Sequence, residues 1–279
     1  MSSTISDFLR ETSAYLYARG IESARLDALL FVCDQLGRDK AWVLAHQEYE
    51  LQGSDVEILN TKIAQRATHV PLAYLRGTVE FYSRNYIVNK HVLVPRPESE
   101  ALIELVKQVA NDKPQVTIID IGTGSGALAI TAKLELPSSI VLATDIDPAC
   151  LSIAKHNALA LAADVTFLKS DLLRDLENSK FKVQNSIIIA NLPYVPKDYP
   201  INQAVSHEPA QALFSGVDGL SHYRALFAQL KNHAFPALYV ITESLLGQHQ
   251  QTIEIAKKSG YKHLATDGLG QLFVRYPSK

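Results

Sequence analysis

The spacing of apolar residues changes character once along the chain, near residue 75. Before that point "SDFLRETSAYLYARG", "SARLDALLFVCDQLG" and "SDVEILNTKIAQRATH" repeat apolar positions at three- and four-residue intervals. Each opens at a serine, and two of the three close at a glycine. That spacing gathers apolar side chains on one stripe of a helix, and a capping hydroxyl followed by an acid marks where a helix starts. Residues 1–75 are therefore predicted to form a small helical bundle, with Trp42 and Leu44 on a short connecting helix. Next, "GTVEFYSRNYIVNKHVLVPRPES" alternates aromatic and β-branched residues, which predicts a β-hairpin linker over 76–98, closed by Pro95 and Pro97 ahead of a helix. From Thr117 onward, short apolar runs alternate with helical segments: "VTIIDIG", "IVLATDID", "VTFLKSD", "SIIIANL" and "ALYVITES". Strands that are apolar throughout and separated by helices belong to a parallel sheet covered on both faces. Residues 99–279 are accordingly expected to form an α/β domain with a mostly parallel sheet.

Composition narrows the class without changing that outline. The chain has 279 residues, 47% hydrophobic and 20% charged, enough to bury a full core. A net charge of −2 with both signs interspersed gives no global basic field for duplex DNA or an anionic membrane. Cys33 and Cys150 stand far apart, and neither they nor the histidines show ligand spacing, so no disulfide scaffold and no metal site are expected. No stretch reaches the roughly 20 apolar residues of a membrane span. A reducing cytoplasmic setting fits best.

Ligands of doubly wound sheets sit beyond the carboxyl ends of the strands, so the residues that follow each strand form a single list. It begins with Asp120 and "GTGSG" (Gly122, Thr123, Gly124, Ser125, Gly126), continues through Asp145 and Asp171, and ends with Asn191, Leu192, Pro193 and Tyr194. The glycines allow a sharp turn and close backbone approach to a ligand, and the next helix presents its N-terminus to it. With Ala127 and Asp145 the loop also satisfies the dinucleotide fingerprint, so at this step a dehydrogenase remains open. Asp145 after the second strand can accept both ribose hydroxyls, and Asp171 after the third can accept an exocyclic amine, which together describe a nucleoside pocket. Asp147, followed by Pro148, suits capping of the next helix.

"NLPY" lies beside that pocket. A planar NH2 group is a weak nucleophile, because its lone pair is delocalised. The Asn191 side-chain oxygen and the Leu192 carbonyl could each take one of its N–H groups and turn the lone pair toward an incoming methyl. Pro193 would stiffen the turn, and the Tyr194 ring would stack on the plane. This is catalysis by positioning and fixed dipoles, and a hydride-transfer enzyme has no comparable use for the pair.

The sequence resembles the HemK/PrmC family of protein-(glutamine-N5) methyltransferases over nearly its whole length. "PLAYLRGTVEFYSRNYIVNKHVLVPRPESE" resembles the family's linker and domain entry, "DIGTGSGALAI" its cofactor loop, "NLPY" its Asn-Pro-Pro-Tyr motif and "HEPAQALFSGVDGL" the segment that follows. The resemblance implies a class I methyltransferase-like, Rossmann-type domain behind a helical bundle that docks the substrate. It implies S-adenosylmethionine held by residues 122–126, Asp145, Asp171, Leu172 and Asn191. The implied substrate is the Gly-Gly-Gln glutamine of class I peptide-chain release factors, held by Asn191, Leu192, Pro193 and Tyr194. A ribosomal-protein glutamine or a nucleic-acid adenine are the alternative targets, though the charge pattern argues against direct nucleic-acid binding. A monomer is expected. Three features depart from the family: Leu192 replaces a proline, Glu243 and Gly247 stand further apart than usual, and Gln271 replaces a common arginine.

Overall fold

The computed structural model describes residues 3–110, 115–176, 186–232 and 237–276. The chain divides into two compact units, Met1–Thr78 with Ile201–His207 and Val79–Pro200 with Glu208–Lys279. Residues 201–207 thus group with the first unit although they fall inside the stretch expected to form the α/β domain, since nothing in the spacing of a short polar loop shows which core it rests on.

In the first unit β1 (Ser3–Thr4), α1 (Ile5–Tyr17), α2 (Ala24–Leu36), α3 (Lys40–Ala45), β2 (Glu50–Leu51), α4 (Gly53–Arg66) and α5 (Leu72–Arg76) follow in order. The helix α1 buries Ile5, Phe8, Thr12 and Leu16, a single stripe. It starts earlier than the expected Ser6: Thr4 is the cap, and its hydroxyl accepts the Asp7 N–H at 3.1 Å. Ser54 likewise lies inside α4, which is preceded by Gln52, so only α2 begins directly after a serine, Ser23. Packing decides these starts, since Ile5 is fully buried and must join the stripe. Within this core Arg66 Nε meets Asp27 Oδ2 at 2.7 Å, pinning α4 to α2. A buried pair of this kind fixes register more than it adds stability.

A hairpin of β3 (Thr78–Phe81) and β4 (Arg84–Ile87) turns at Tyr82 and Ser83, both in the left-handed region (φ 50° and 57°). It is shorter than predicted. Beyond it Val88, Val92 and Val94 bury their side chains outside any named strand, and the Val94 N–H is taken by the Glu208 carboxylate at 2.9 Å. Alternation there reflects packing onto a core, which a strand pattern cannot be told from in sequence.

The second unit continues with α6 (Glu100–Ala110), β5 (Thr117–Ile121), α7 (Ala127–Glu135), β6 (Ile140–Asp145), α8 (Pro148–Ala160), β7 (Thr166–Lys169), β8 (Ile187–Ala190), α9 (Ala210–Leu213), α10 (Ser221–Asn232), β9 (Tyr239–Glu243), α11 (His249–Lys258), β10 (Tyr261–Asp267) and β11 (Gly270–Arg275). The seven-stranded sheet runs β10-β11-β9-β8-β5-β6-β7. Its five predicted strands pair in parallel, whereas β11 runs antiparallel to both β9 and β10. This last hairpin was not anticipated, because its polar residues dilute the apolar run. The run Ile187-Ile188-Ile189 explains the continuous apolar pattern: Ile187 and Ile189 join the core on one face, Ile188 the core on the other. Each such isoleucine contributes about 1.5–3 kcal/mol by leaving water. The strand β5 pairs with β6 on one side and β8 on the other, so the winding reverses between β5 and β8. That reversal opens a crevice at the carboxyl ends of these two strands. Among the described residues no helix is long and apolar enough to cross a membrane.

Candidate active site

A cavity of about 370 Å³ occupies this crevice within the second unit. Gly122, Thr123, Gly124, Ser125, Asp145, Asp171, Leu172, Asn191, Leu192 and Pro193 all line it; Gly126 and Tyr194 do not. The carboxyl ends of four different strands thus converge on one space.

The floor is built around carboxylates. Asp120 is 1% exposed, and its Oδ2 accepts the Thr123 hydroxyl at 2.6 Å and the Ala129 N–H at 3.2 Å, tying the loop to the first turn of α7. Its Oδ1 is buried with no partner, and burial pushes its pKa up to about 7. Asp145 Oδ2 accepts the Gly124 N–H and Oδ1 the Asp147 N–H, each at 2.9 Å. Burial raises the Asp145 pKa, and these N–H groups oppose the rise. A carboxylate oxygen carries two lone-pair directions, so both oxygens can still accept from the cavity. Asp147 caps α8 through the Ala149 N–H at 2.8 Å, as its sequence position suggested. Asp171 is half-exposed and paired with Arg174 at 2.7 Å. Leu172, at φ 55°, is held in the left-handed region while Ser170 Oγ donates to its carbonyl at 2.8 Å. Ile146 lines the cavity although it is 62% exposed, an apolar face turned to the opening.

Asn191 follows β8. Its Nδ2 donates to Ser99 Oγ at 2.9 Å, which leaves Oδ1 as the side chain's free acceptor. Leu192 is 4% exposed and packs over the glycine loop, where a Cβ added at Gly122 (φ 73°) would meet Leu192 Cδ2 at 3.0 Å. The Tyr194 hydroxyl donates to Glu243 Oε1 at 2.9 Å, and burial beside that carboxylate holds the phenol far above its ordinary pKa. Glu243, at the end of β9 and 1% exposed, has its own pKa raised by burial, opposed by Ser99, Tyr194 and Asn191. The Tyr223 hydroxyl lies between the carbonyls of Ala190 and Glu243, with its one proton for them to share, and so bridges β8 and β9 where the strands end.

The turn after Asn191 is clamped from outside. Val195 N–H donates to the Leu213 carbonyl at 2.9 Å, and Ser215 N–H to the Val195 carbonyl at 3.0 Å. Gln248 Nε2 bridges the Tyr194 and Asp218 carbonyls, each at 2.8 Å. Gly219 (φ 79°) lies so close that a Cβ there would overlap both the Tyr194 carbonyl and Gln248 Nε2. Arg96 pairs with Glu208 and not with its neighbour Glu98. Sequence reasoning passed over Ser99, Ile146, Tyr223 and Gln248, and it noted Glu243 only for its spacing. The one signal available was the position of Ser244 and Glu243 at a fifth strand end.

The first unit matches the "PrmC N-terminal domain" family over residues 7–77, and residues 100–196 match the family "Ribosomal protein L11 methyltransferase (PrmA)". The chain is 35% identical to the release factor glutamine methyltransferase of Enterococcus faecalis, covering 81% of this chain and 80% of that one. It is 36% identical to the protein of that name from Koribacter versatilis, covering 82% of each. It also matches the bifunctional methyltransferase of Rickettsia bellii at 31% identity, of which it spans about half, 52%. Among solved structures the hMettl16 catalytic domain, in complex with MAT2A 3'UTR hairpin 6, shares the fold: TM-score 0.54, 16% identity, 78% of this chain and 82% of that one. A class I methyltransferase fold, joined to a PrmC N-terminal domain and matched at 35% identity across four fifths of a relative, places the chain in the release factor glutamine methyltransferase family.

Proposed function

We propose that this enzyme methylates the side-chain amide nitrogen of the glutamine in the Gly-Gly-Gln motif of class I peptide-chain release factors, with S-adenosylmethionine as methyl donor. The observation that carries the reading is the placement of Asn191, its Nδ2 already engaged by Ser99, at the winding reversal beside the glycine loop.

The residues present fit the cofactor. A cavity of about 370 Å³ is of the size that takes a nucleoside-containing ligand. Asp145 offers acceptors for ribose hydroxyls, and the apolar Ile146 and Leu172 flank a space suited to a flat base, with Asp171 at its edge. Residues 122–126 would carry the backbone past the amino-acid portion. When bound, the cofactor would supply an electrophilic methyl on a sulfonium, with a neutral thioether as leaving group for the attacking amide nitrogen. Asn191 Oδ1 and the Leu192 carbonyl each accept one amide N–H, holding the plane and stabilising positive charge as it grows on nitrogen. Pro193 restricts the turn and Tyr194, tethered to Glu243, backs the amide. The surplus amide proton, made strongly acidic by that charge, is released to solvent. The first unit, in this reading, docks the release factor.

The test incubates the full chain with labelled cofactor and an intact release factor, then maps the label by mass spectrometry. Label on the Gly-Gly-Gln glutamine is expected. Asn191→Ala should lower the rate on the order of 10²–10³-fold, about 3–4 kcal/mol, with calorimetric cofactor affinity nearly unchanged. Label on a ribosomal protein alone would move the substrate assignment there, and an Asn191→Ala variant at parental rate would reject the amide clamp.

A further inference from the structure

The Asn191 amide has two orientations of nearly equal shape, and only one presents an acceptor to the cavity. Ser99 alone cannot choose between them: a hydroxyl can accept from Nδ2 or, with the amide turned over, donate to Oδ1. Something must fix the hydroxyl's direction. Ser99 is 3% exposed, so water is a poor candidate for that role.

Glu243 stands behind Ser99 and Asn191. Those two line the cavity and Glu243 does not. Its Oε1 is taken by the Tyr194 hydroxyl at 2.9 Å, while its Oε2 is fully buried and lacks an aligned partner of its own. An ionised carboxylate only accepts, and an unmatched buried oxygen draws nearby donors toward it. The nearby donors that favour its charged form are Ser99, Tyr194 and Asn191. With the Ser99 proton directed at Glu243, the Ser99 oxygen is left only its lone pairs for Asn191, so Nδ2 must face it and Oδ1 must face the cavity.

Resting on the glutamine-transfer reading above, we infer that Glu243 is a positioning residue: through Ser99 it sets the orientation of the Asn191 amide, while its other oxygen holds the Tyr194 hydroxyl. It touches neither substrate nor cofactor. Asn191 meets Ser99 at 2.9 Å and Tyr194 meets Glu243 at 2.9 Å, and the inferred turn of the Ser99 proton toward the unpartnered Glu243 Oε2 is what joins the two pairs.

The decisive variant is Glu243→Gln, which keeps the shape and removes the obligatory acceptor. In ¹⁵N-labelled protein without cofactor or substrate, the Asn191 side-chain amide signals, identified by their absence in Asn191→Ala, should shift and exchange faster with water in Glu243→Gln. Ser99→Ala should change them in the same sense. With release factor as substrate, kcat of Glu243→Gln should fall on the order of 10–100-fold while KM, cofactor affinity and melting temperature stay near the parent's. A residue of merely structural importance would instead lower the melting temperature and leave kcat of the folded fraction intact. Unchanged Asn191 amide signals in Glu243→Gln would overturn the inference. Failure of the parent enzyme to methylate the release factor would reject the substrate reading instead, and the amide signals would still decide this one.

Discussion

Asp120 shows how a single side chain can be costly where it sits and still be needed there. Burial raises its pKa from 3.8 to about 7, so the folded protein holds a proton there that the unfolded chain has released. The penalty is absent below pH 4 and complete above pH 7, so its contribution makes stability fall as pH rises through that window. Relative to the parent, Asp120→Asn should gain stability between pH 4 and pH 7 by as much as about 4 kcal/mol, at 1.36 kcal/mol per pKa unit. Denaturant unfolding of both proteins at the two pH values checks this, and a pH-independent difference would show that Asp120 titrates as it does in the unfolded chain. Leu192 makes a related point. Read from sequence, a proline there would only have stiffened the turn; in the fold Leu192 is buried against the glycine loop and belongs to the core of that face. A Leu192→Pro change would remove that packing along with the flexibility.

At the scale of elements, Asn157 on α8 links three segments. Its Oδ1 accepts the Ile87 N–H at 2.7 Å, and its Nδ2 donates to the carbonyls of Ile87 at 3.0 Å and Ser125 at 2.8 Å. The hairpin end, the helix and the glycine loop are thus joined by one buried amide. Asn157→Ala would strand three backbone groups at about 1–3 kcal/mol for each one that water cannot reach. A loss of about 3 kcal/mol in unfolding free energy, together with weaker cofactor binding, is expected from denaturant titration and calorimetry. Unaltered cofactor affinity would mean that the loop holds its shape without this tie. What could be read from sequence at this scale was whatever repeats locally: the helical stripe of α1, the isoleucines of β8, the acids and glycines directly after strands. The partners that complete the site could not be read that way. Asn191 meets Ser99 across 92 residues and Tyr194 meets Glu243 across 49, separations at which no periodicity carries information. Ile146 escaped notice because an isoleucine after a strand reads as core until its 62% exposure is seen.

For the whole molecule, the helical unit has its own core, and the described residues that line the cavity belong to the second unit. A separate docking role then predicts a particular division of kinetic effects. The full chain should methylate an intact release factor and a short Gly-Gly-Gln peptide with similar kcat, but with KM at least about tenfold lower for the intact protein, equivalent to about 1.4 kcal/mol of extra binding. Steady-state assays with both substrates decide it, since equal KM values would leave the helical unit without a recognition role.

The bulge in β10, where register shifts between His263 and Ala265, has a bearing on life at high concentration. A seven-stranded sheet with open margins offers unpaired backbone to any passing strand. One margin here is the four-residue β7, ending on Lys169. The other is β10, interrupted by its bulge and bearing Lys262. Neither is a long flat ribbon on which a second chain could zip. The bulge in β10 therefore works against fibril growth, keeping a sheet rich in consecutive isoleucines from adding copies of itself at its rim.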